Sequence, residues 1–344
     1  MKEKLSYEKA GVNIKVADEA KKEMAKSLET TDRRVLNKMG AFASLFEGVF
    51  PEYEHPVLAL KIEEPGSKQK LAFQYNRISS ICDDLINHLV NDIIVMGATP
   101  LAVLDVIICG KLEKRIITRV VNSLSRACRA QGCTLVGGET SEQPGVVEAG
   151  TYILAASILG VVEKSKIIDG SRIVEGDCIL AIASNGLHTN GYSLVRTLMA
   201  QKPEITEMKV GKDSFIDVIL KPHRCYYQGL RDLFALKELH GIAHITGGGI
   251  RGNLSRILPE DLDAVINLSK IQVLPIFKLI QKMGNIEDSE MMRTFNMGVG
   301  MIIIARKTAI ERIQEHLLRK DYYSYLIGEI VRGKKRVIYQ GKLN

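Results

Sequence analysis

The sequence predicts an α/β (α+β) protein of two domains, and three observations predict it. Short Val/Ile-rich runs alternate with longer stretches whose apolar residues recur every three to four positions, the two periodicities of strands and amphipathic helices. Gly- or Asn-rich turns stand beside apolar runs at 137–145, 185–193, 246–249 and 295–300, as ligand-binding turns between strand and helix do. The length of 344 residues suffices for two domains of ordinary size.

Taken in order, residues 1–14 are polar and read as an arm, and 18–28 carry helix formers that give way at 30–34. Pro56 opens a strand over 57–62, followed by a turn at 63–68. Residues 80–96 place apolar side chains at 81, 85, 86, 89, 90, 93 and 94, one buried helix face, with Gly97 and Pro100 as stops. A strand at 101–109 and a helix at 112–130 with Arg and Lys on its outer face lead to Thr134-Leu135-Val136. That run is expected to end at Gly137-Gly138 and open into a loop. A strand at 151–162 closes the first domain, and the polar connector 169–177 marks the boundary, giving domains 1–168 and 169–344. The second half supplies strands at 178–183, 242–245, 264–268, 300–305 and 325–331, and helices from 194, at 273–283 and at 308–319.

Hydrophobic content of 46% and charged content of 25% are those of a globular protein. The net charge of +7 is spread along the chain, with no basic run interleaved with aromatics, so nucleic-acid binding is not expected. No apolar run approaches the roughly 18 residues of a membrane span, and Met1-Lys2-Glu3-Lys4 lacks the apolar core of a signal peptide. Cys82, Cys109, Cys128, Cys133, Cys178 and Cys225 form no C-x-x-C pair and read as reduced, mostly buried thiols. A cytoplasmic location is the expectation.

Several residues carry candidate chemistry. Glu139 follows Gly137-Gly138 at a strand end, where a carboxylate can hold Mg²⁺ while phosphate oxygens replace its waters; a surface turn with a solvated Glu has the same pattern. Thr246-Gly247-Gly248-Gly249, with Gly252 and Asn253 after it, lets backbone N–H groups approach a phosphate without a Cβ in the way, or makes a tight structural turn. The 185–193 turn gathers Asn185, His188, Asn190 and Ser193. His188 is either a proton shuttle, its reference pKa being near neutrality, or a histidine hydrogen-bonded in the turn. His244, in an apolar strand, reads as a core residue or as one that supports a site from behind. Asp84, His88 and Asp92, spaced by four, form one polar helix stripe, which becomes a metal and nucleotide site if Glu139 comes close.

The ordered motifs G-G-E-T-S-E-Q-P-G, A-S-N-G-L-H-T-N-G-Y-S-L-V-R, L-K-P-H-R, A-H-I-T-G-G-G-I and M-R-T-F-N-M-G-V-G-M closely resemble the phosphoribosylformylglycinamidine cyclo-ligase (aminoimidazole ribonucleotide synthetase) family. The resemblance runs from Ser6-Tyr7 and Ala10-Gly11-Val12 to beyond Gly328. It implies a two-domain synthetase-like fold and a homodimer whose N-terminal domains share a β-barrel, with ATP near that interface. It further implies the reaction: ATP phosphorylates the formyl amide oxygen of formylglycinamidine ribonucleotide, a nitrogen attacks that carbon, and phosphate leaves as the imidazole closes. Residue chemistry and the resemblance together give His188, Lys68 and Asn190 as candidate catalytic residues and Gly66, Ser67, Lys68, Asp84, Asn91 and Asp92 as expected ATP contacts. Ser193, Thr246, Gly247, Gly248, Gly249 and Asn296 are the expected substrate contacts, and Glu139 and Asp92, with Glu63 as a weaker third, the expected Mg²⁺ ligands.

The substrate turns are nearly intact; the nucleotide end departs. Gly40-Ala41-Phe42-Ala43 stands for the family's Gly-Gly-Phe-Gly, and Glu63-Glu64-Pro65-Gly66-Ser67-Lys68 for its Asp-Gly-Val-Gly-Thr-Lys. Glu64 puts a negative side chain where phosphates should sit, and Pro65 removes a backbone donor. Asn87-His88 replaces Ala-Met, and His223 replaces the usual Thr. A non-catalytic paralogue that binds a purine-pathway ribonucleotide or a protein partner is the alternative these departures leave open.

Overall fold

The computed structural model describes residues 18–20, 23–24, 28, 30–37 and 41–343. Ser6, Tyr7, Ala10, Gly11, Val12 and Gly40 lie outside the described residues, as does part of the helix expected at 18–28. Backbone contacts divide the chain into two compact units, Met1–Val90 with Pro100–Val161, and Asn91–Thr99 with Val162–Asn344.

In the first unit, β1 (Pro56–Glu63), β2 (Thr99–Cys109), β3 (Thr134–Glu142) and β4 (Tyr152–Glu163) form a four-stranded sheet in the order β1-β4-β2-β3. Helix α1 (Lys68–Gln74) and helix α2 (Ile78–Ile94) come between β1 and β2. Ile81, Leu85, Ile86, Leu89 and Val90 of α2 are all fully buried, as their helical spacing predicted. Gly97, at φ +78, ends the turn after α2. Helix α3 (Lys114–Ala130) buries Ile117, Val120, Leu124 and Cys128 and leaves Arg115, Arg119 and Arg126 exposed. It joins β2 to β3, which are parallel, as a crossover helix must.

The loop expected at Gly137-Gly138 is instead strand. β3 continues to Glu142, pairing Leu104 with Gly137, Asp105 with Gly138 and Val106 with Glu139. The glycines serve a close approach rather than a turn, because a Cβ at Gly138 would overlap the Asp105 side chain.

In the second unit, β5 (Cys178–Ala183) is followed by α4 (Tyr192–Gln201) and a two-residue hairpin, β6 (Lys209–Val210) and β7 (Asp213–Ser214). The chain continues with α5 (Phe215–Ile219), α6 (Tyr227–Leu230), β8 (Leu239–His244), α7 (Gly249–Leu254) and β9 (Leu262–Asn267). It ends with α8 (Pro275–Gly284), α9 (Asp288–Thr294), β10 (Val299–Ala305), α10 (Ile310–Arg319), β11 (Ser324–Arg332) and β12 (Val337–Gln340). The six-stranded sheet runs β12-β9-β11-β5-β10-β8. Every residue of β8 and β10 is buried, which explains their unbroken apolar runs.

Register brings the turns together. β10 lies antiparallel between β5 and β8, pairing Val299 with Ala183 and Met301 with His244. The exits of β5 and β8 and the entry of β10 therefore share one end of the sheet, and so do the turns at 184–191, 246–249 and 295–298. No helix among the described residues is long and apolar enough to cross a membrane.

Candidate functional site

At that sheet end Asn296 fastens two turns to each other. Its Oδ1 accepts from Ser184 Oγ (2.9 Å) and the Gly298 N–H (2.9 Å), and its Nδ2 donates to the Gly186 carbonyl (2.9 Å). Asn296, expected as a substrate contact, is 2% exposed and spends both ends of its amide on holding these turns together. The turn leads through His188, at φ +62 and buried, to Asn190 and then to Gly191, which caps α4 in the left-handed region. Ser193 is exposed on the first turn of α4.

The glycine turn meets this segment directly: a Cβ on Gly247 would stand 3.3 Å from Asn190 Oδ1. Its shape is set by Asn253, whose Nδ2 donates to the carbonyls of Thr246, Gly247 and Gly249 (3.2, 3.2 and 2.8 Å), while Thr246 Oγ1 donates to Asn253 Oδ1 (3.1 Å). The triple glycine was open to two roles, phosphate approach by its amides or a tight structural turn. In the structure the Gly248 N–H donates to the Arg293 carbonyl and the Gly249 N–H to that of Thr246 (both 3.1 Å), so these two close the turn. Gly247, exposed and beside Asn190, is the member placed to meet a ligand.

Asn91 and Asp92, expected at the nucleotide, are engaged within the second unit. Asn91 is fully buried; its Oδ1 accepts from the Tyr226 N–H (2.9 Å) and its Nδ2 donates to the Arg224 carbonyl (2.8 Å), which uses both ends of the amide. Asp92 Oδ1 lies 2.7 Å from His244 Nδ1, and His244 Nε2 lies 3.0 Å from His223 Nε2. His244 is buried in its strand, as expected, and is the middle of a polar chain.

In the first unit Lys68 opens α1 and its Nζ pairs with Asp84 Oδ1 of α2 at 2.8 Å, both side chains being 0% exposed. Burial pulls the Lys68 ammonium below its ordinary range, and the Asp84 charge opposes that shift. Both residues were expected among the ATP contacts, and here they face each other inside the unit. Gly66, at φ +60, makes the turn before them; Pro65 is buried and Glu64 exposed.

The expected trio of metal carboxylates does not assemble within one chain. Glu63 ends β1 and pairs with Lys61 (2.7 Å), while exposed Glu139 lies on β3 at the opposite edge of the sheet. Three strand spacings, roughly 14 Å, separate those edges, too far for one ion to be shared. Sequence reasoning missed Asp105, next to Gly138 across the strand pair. Its carboxyl is buried and pushed up to about 7 by desolvation. The signal was present: a lone acid inside the apolar strand Thr99–Cys109.

Comparison with known proteins gives these sites a context. Residues 56–162 match the AIR synthase related protein N-terminal domain, and residues 174–340 match its C-terminal domain. The chain is 38% identical over 344 residues to the phosphoribosylformylglycinamidine cyclo-ligase of Alkaliphilus metalliredigens, covering 97% of this chain and 98% of the relative. It is 41% identical over 328 residues to the enzyme of that name from Nitrosococcus oceani, covering 95% and 92%. Among solved structures, the hydrogenase maturation protein HypE of E. coli superposes with a TM-score of 0.67 at 16% identity over 96% of this chain and 95% of that one. Thiamine-monophosphate kinase from Stenotrophomonas maltophilia does so at 0.64 and 15% over 96% of each. The fold is shared with the last two proteins, and by its matches over both domains this chain belongs to the AIR synthase family.

Proposed function

We propose that the chain is a phosphoribosylformylglycinamidine cyclo-ligase, closing the imidazole ring of aminoimidazole ribonucleotide from formylglycinamidine ribonucleotide at the expense of ATP. The observation that carries this is identity of 38 to 41% with proteins of that name along nearly their whole length. A solved fold neighbour, HypE, has been crystallised with ATP.

The ribonucleotide phosphate is assigned to the second unit, at Gly247, Thr246, Asn190 and Ser193, where an exposed amide, an amide side chain and hydroxyls stand on two adjoining turns. Gly248, Gly249, Asn253 and Asn296 hold those turns in shape. His188, in the same turn as Asn190, is the proton carrier of this reading. ATP is assigned to the first unit and the Gly66-Ser67 turn, with Glu139 as the carboxylate for Mg²⁺, which in nucleotide sites needs only one or two such ligands beside phosphate oxygens. Lys68 can reach a phosphate only if its pair with Asp84 opens.

A homodimer joined through the first unit, in a cytoplasmic enzyme, completes the reading. Its support is the outward face of β1, where Leu58, Leu60 and Ile62 are 52, 77 and 67% exposed, continued by Leu104 of β2 at 45%. Leu60, Ile62 and Leu104, with Phe46, Val136 and Leu159, line a groove of about 450 Å³. So large an apolar surface calls for a covering partner, and a second copy supplies the matching sheet face. The reading is tested by incubating the purified protein with formylglycinamidine ribonucleotide and Mg-ATP and following aminoimidazole ribonucleotide. ATP-dependent product supports it; substrate binding without product reduces the chain to a binding paralogue.

A further inference from the structure

We propose that His223 and His244, with His188 as the third ligand, form a binding site for one divalent transition-metal ion of the imidazole-preferring kind, represented by Zn²⁺. One ring nitrogen from each lies within 4.8 Å of the other two, inside the second unit, and the residues are 0, 6 and 1% exposed respectively. Imidazole is the ligand type that favours Zn²⁺, Cu²⁺ and Ni²⁺ over Mg²⁺, so this site is chemically separate from the one assigned to Mg-ATP.

The geometry begins at Asp92. Its carboxylate stands 2.7 Å from His244 Nδ1, which fixes the proton on that nitrogen and leaves Nε2 as a lone-pair donor. Carboxylate, histidine and metal in a row is a recurring way to orient a ligating ring. His244 Nε2 in turn faces His223 Nε2 at 3.0 Å. Two imidazole nitrogens bonded to one tetrahedral Zn²⁺ at about 2.0 to 2.1 Å stand about 3.3 Å apart, so a small outward shift admits the ion. The other nitrogen of His223 faces Thr189 Oγ1 at 3.5 Å, a hydroxyl able to accept its proton and leave Nε2 toward His244.

His188 stacks on His223 with ring centroids 3.9 Å apart and planes 17° from parallel. Parallel rings share no point in both planes, so its bond to the ion requires the His188 ring to turn out of the stack. Gly300 is required beside this ring, because a Cβ there would overlap the Tyr226 hydroxyl and lie 2.8 Å from His188 Cε1. The backbone at His188, at φ +62, is one that a side-chain-bearing residue rarely adopts and that the surroundings must enforce. Because His188 is also the proton carrier of the proposed reaction, an ion held here would remove it from catalysis.

The test is metal uptake by the full chain, free of any histidine tag and treated with chelator. Titration with Co²⁺ should show one ion per chain with the visible absorption of tetrahedral nitrogen-ligated Co²⁺, displaced by Zn²⁺. His223→Thr, which installs the residue the family usually carries, should weaken binding roughly 100-fold or more. Asp92→Asn should weaken it roughly 10- to 100-fold through loss of ring orientation. Circular dichroism melts establish that the variants fold; if His223→Thr does not, His223→Gln keeps the bulk and makes the same comparison. Wild-type protein that takes up neither ion at micromolar concentration, or a folded His223 variant that binds like wild type, overturns the proposal and leaves the pair as hydrogen-bonded histidines.

Discussion

Asn190 and Gly247 meet at a distance that makes a single methyl group informative. Gly247 is exposed, and only Asn190 is near its missing Cβ. Gly247→Ala should therefore leave thermal stability almost unchanged while displacing Asn190 and weakening ribonucleotide binding roughly tenfold, as calorimetric titration would show. Unchanged affinity would remove this turn from the phosphate site. Asp105 gives a pH prediction. Its carboxyl is raised from 3.8 to about 7, so the folded form binds the proton more tightly than the unfolded one. The favourable difference is present below pH 4 and is lost as pH rises through 7, at most about 4 kcal/mol. Asp105→Asn should accordingly overtake wild type in urea-melt stability between pH 5 and 8; parallel curves for the two proteins would contradict the buried-acid account. Some of these roles could be read from residue type alone, such as a histidine among hydroxyls and amides. Others could not, because whether Asn91, Asn296 or Lys68 faces a ligand or a neighbouring backbone depends on partners up to 135 residues away, as with Asn91 and Tyr226.

Among the elements, the turn at 63–68 carries the clearest departure from the family's pattern. Glu64 is exposed there and Pro65 offers no N–H. A carboxylate within about 4 Å of a phosphate costs roughly a few kcal/mol at an effective dielectric near 20. Restoring the usual residues with Glu63→Asp, Glu64→Gly and Pro65→Val should tighten Mg-ATP binding measured by calorimetry, and equal affinities would show that the turn points away from the nucleotide. Periodicity made most strands and helices legible to within a few residues, α2 and β5 among them, because each buries a face that the sequence pattern records. It failed at β3, where Gly137-Gly138 looked like an exit. The strand persists because ladder bonds to β2 do not require side chains, and Asp105 needs the space that glycine leaves. It also missed β12, four residues whose strand character comes from pairing with β9.

At the scale of the whole molecule, the apolar face of β1 and β2 is the feature one chain leaves uncovered. Leu60→Asp, at 77% exposure, should cost the monomer little but place a charge in the proposed interface, converting a dimer to a monomer in light scattering after size exclusion. A wild-type protein that is monomeric at micromolar concentration would contradict the shared-barrel proposal. The central claim is that this chain couples ATP cleavage to ring closure despite its altered nucleotide turn and its buried Lys68–Asp84 pair. The direct measurement is ADP release by purified wild-type protein with Mg-ATP, with and without formylglycinamidine ribonucleotide. The account predicts ADP only when the ribonucleotide is present, one for each aminoimidazole ribonucleotide formed. No ADP from a protein that still binds the ribonucleotide would contradict it.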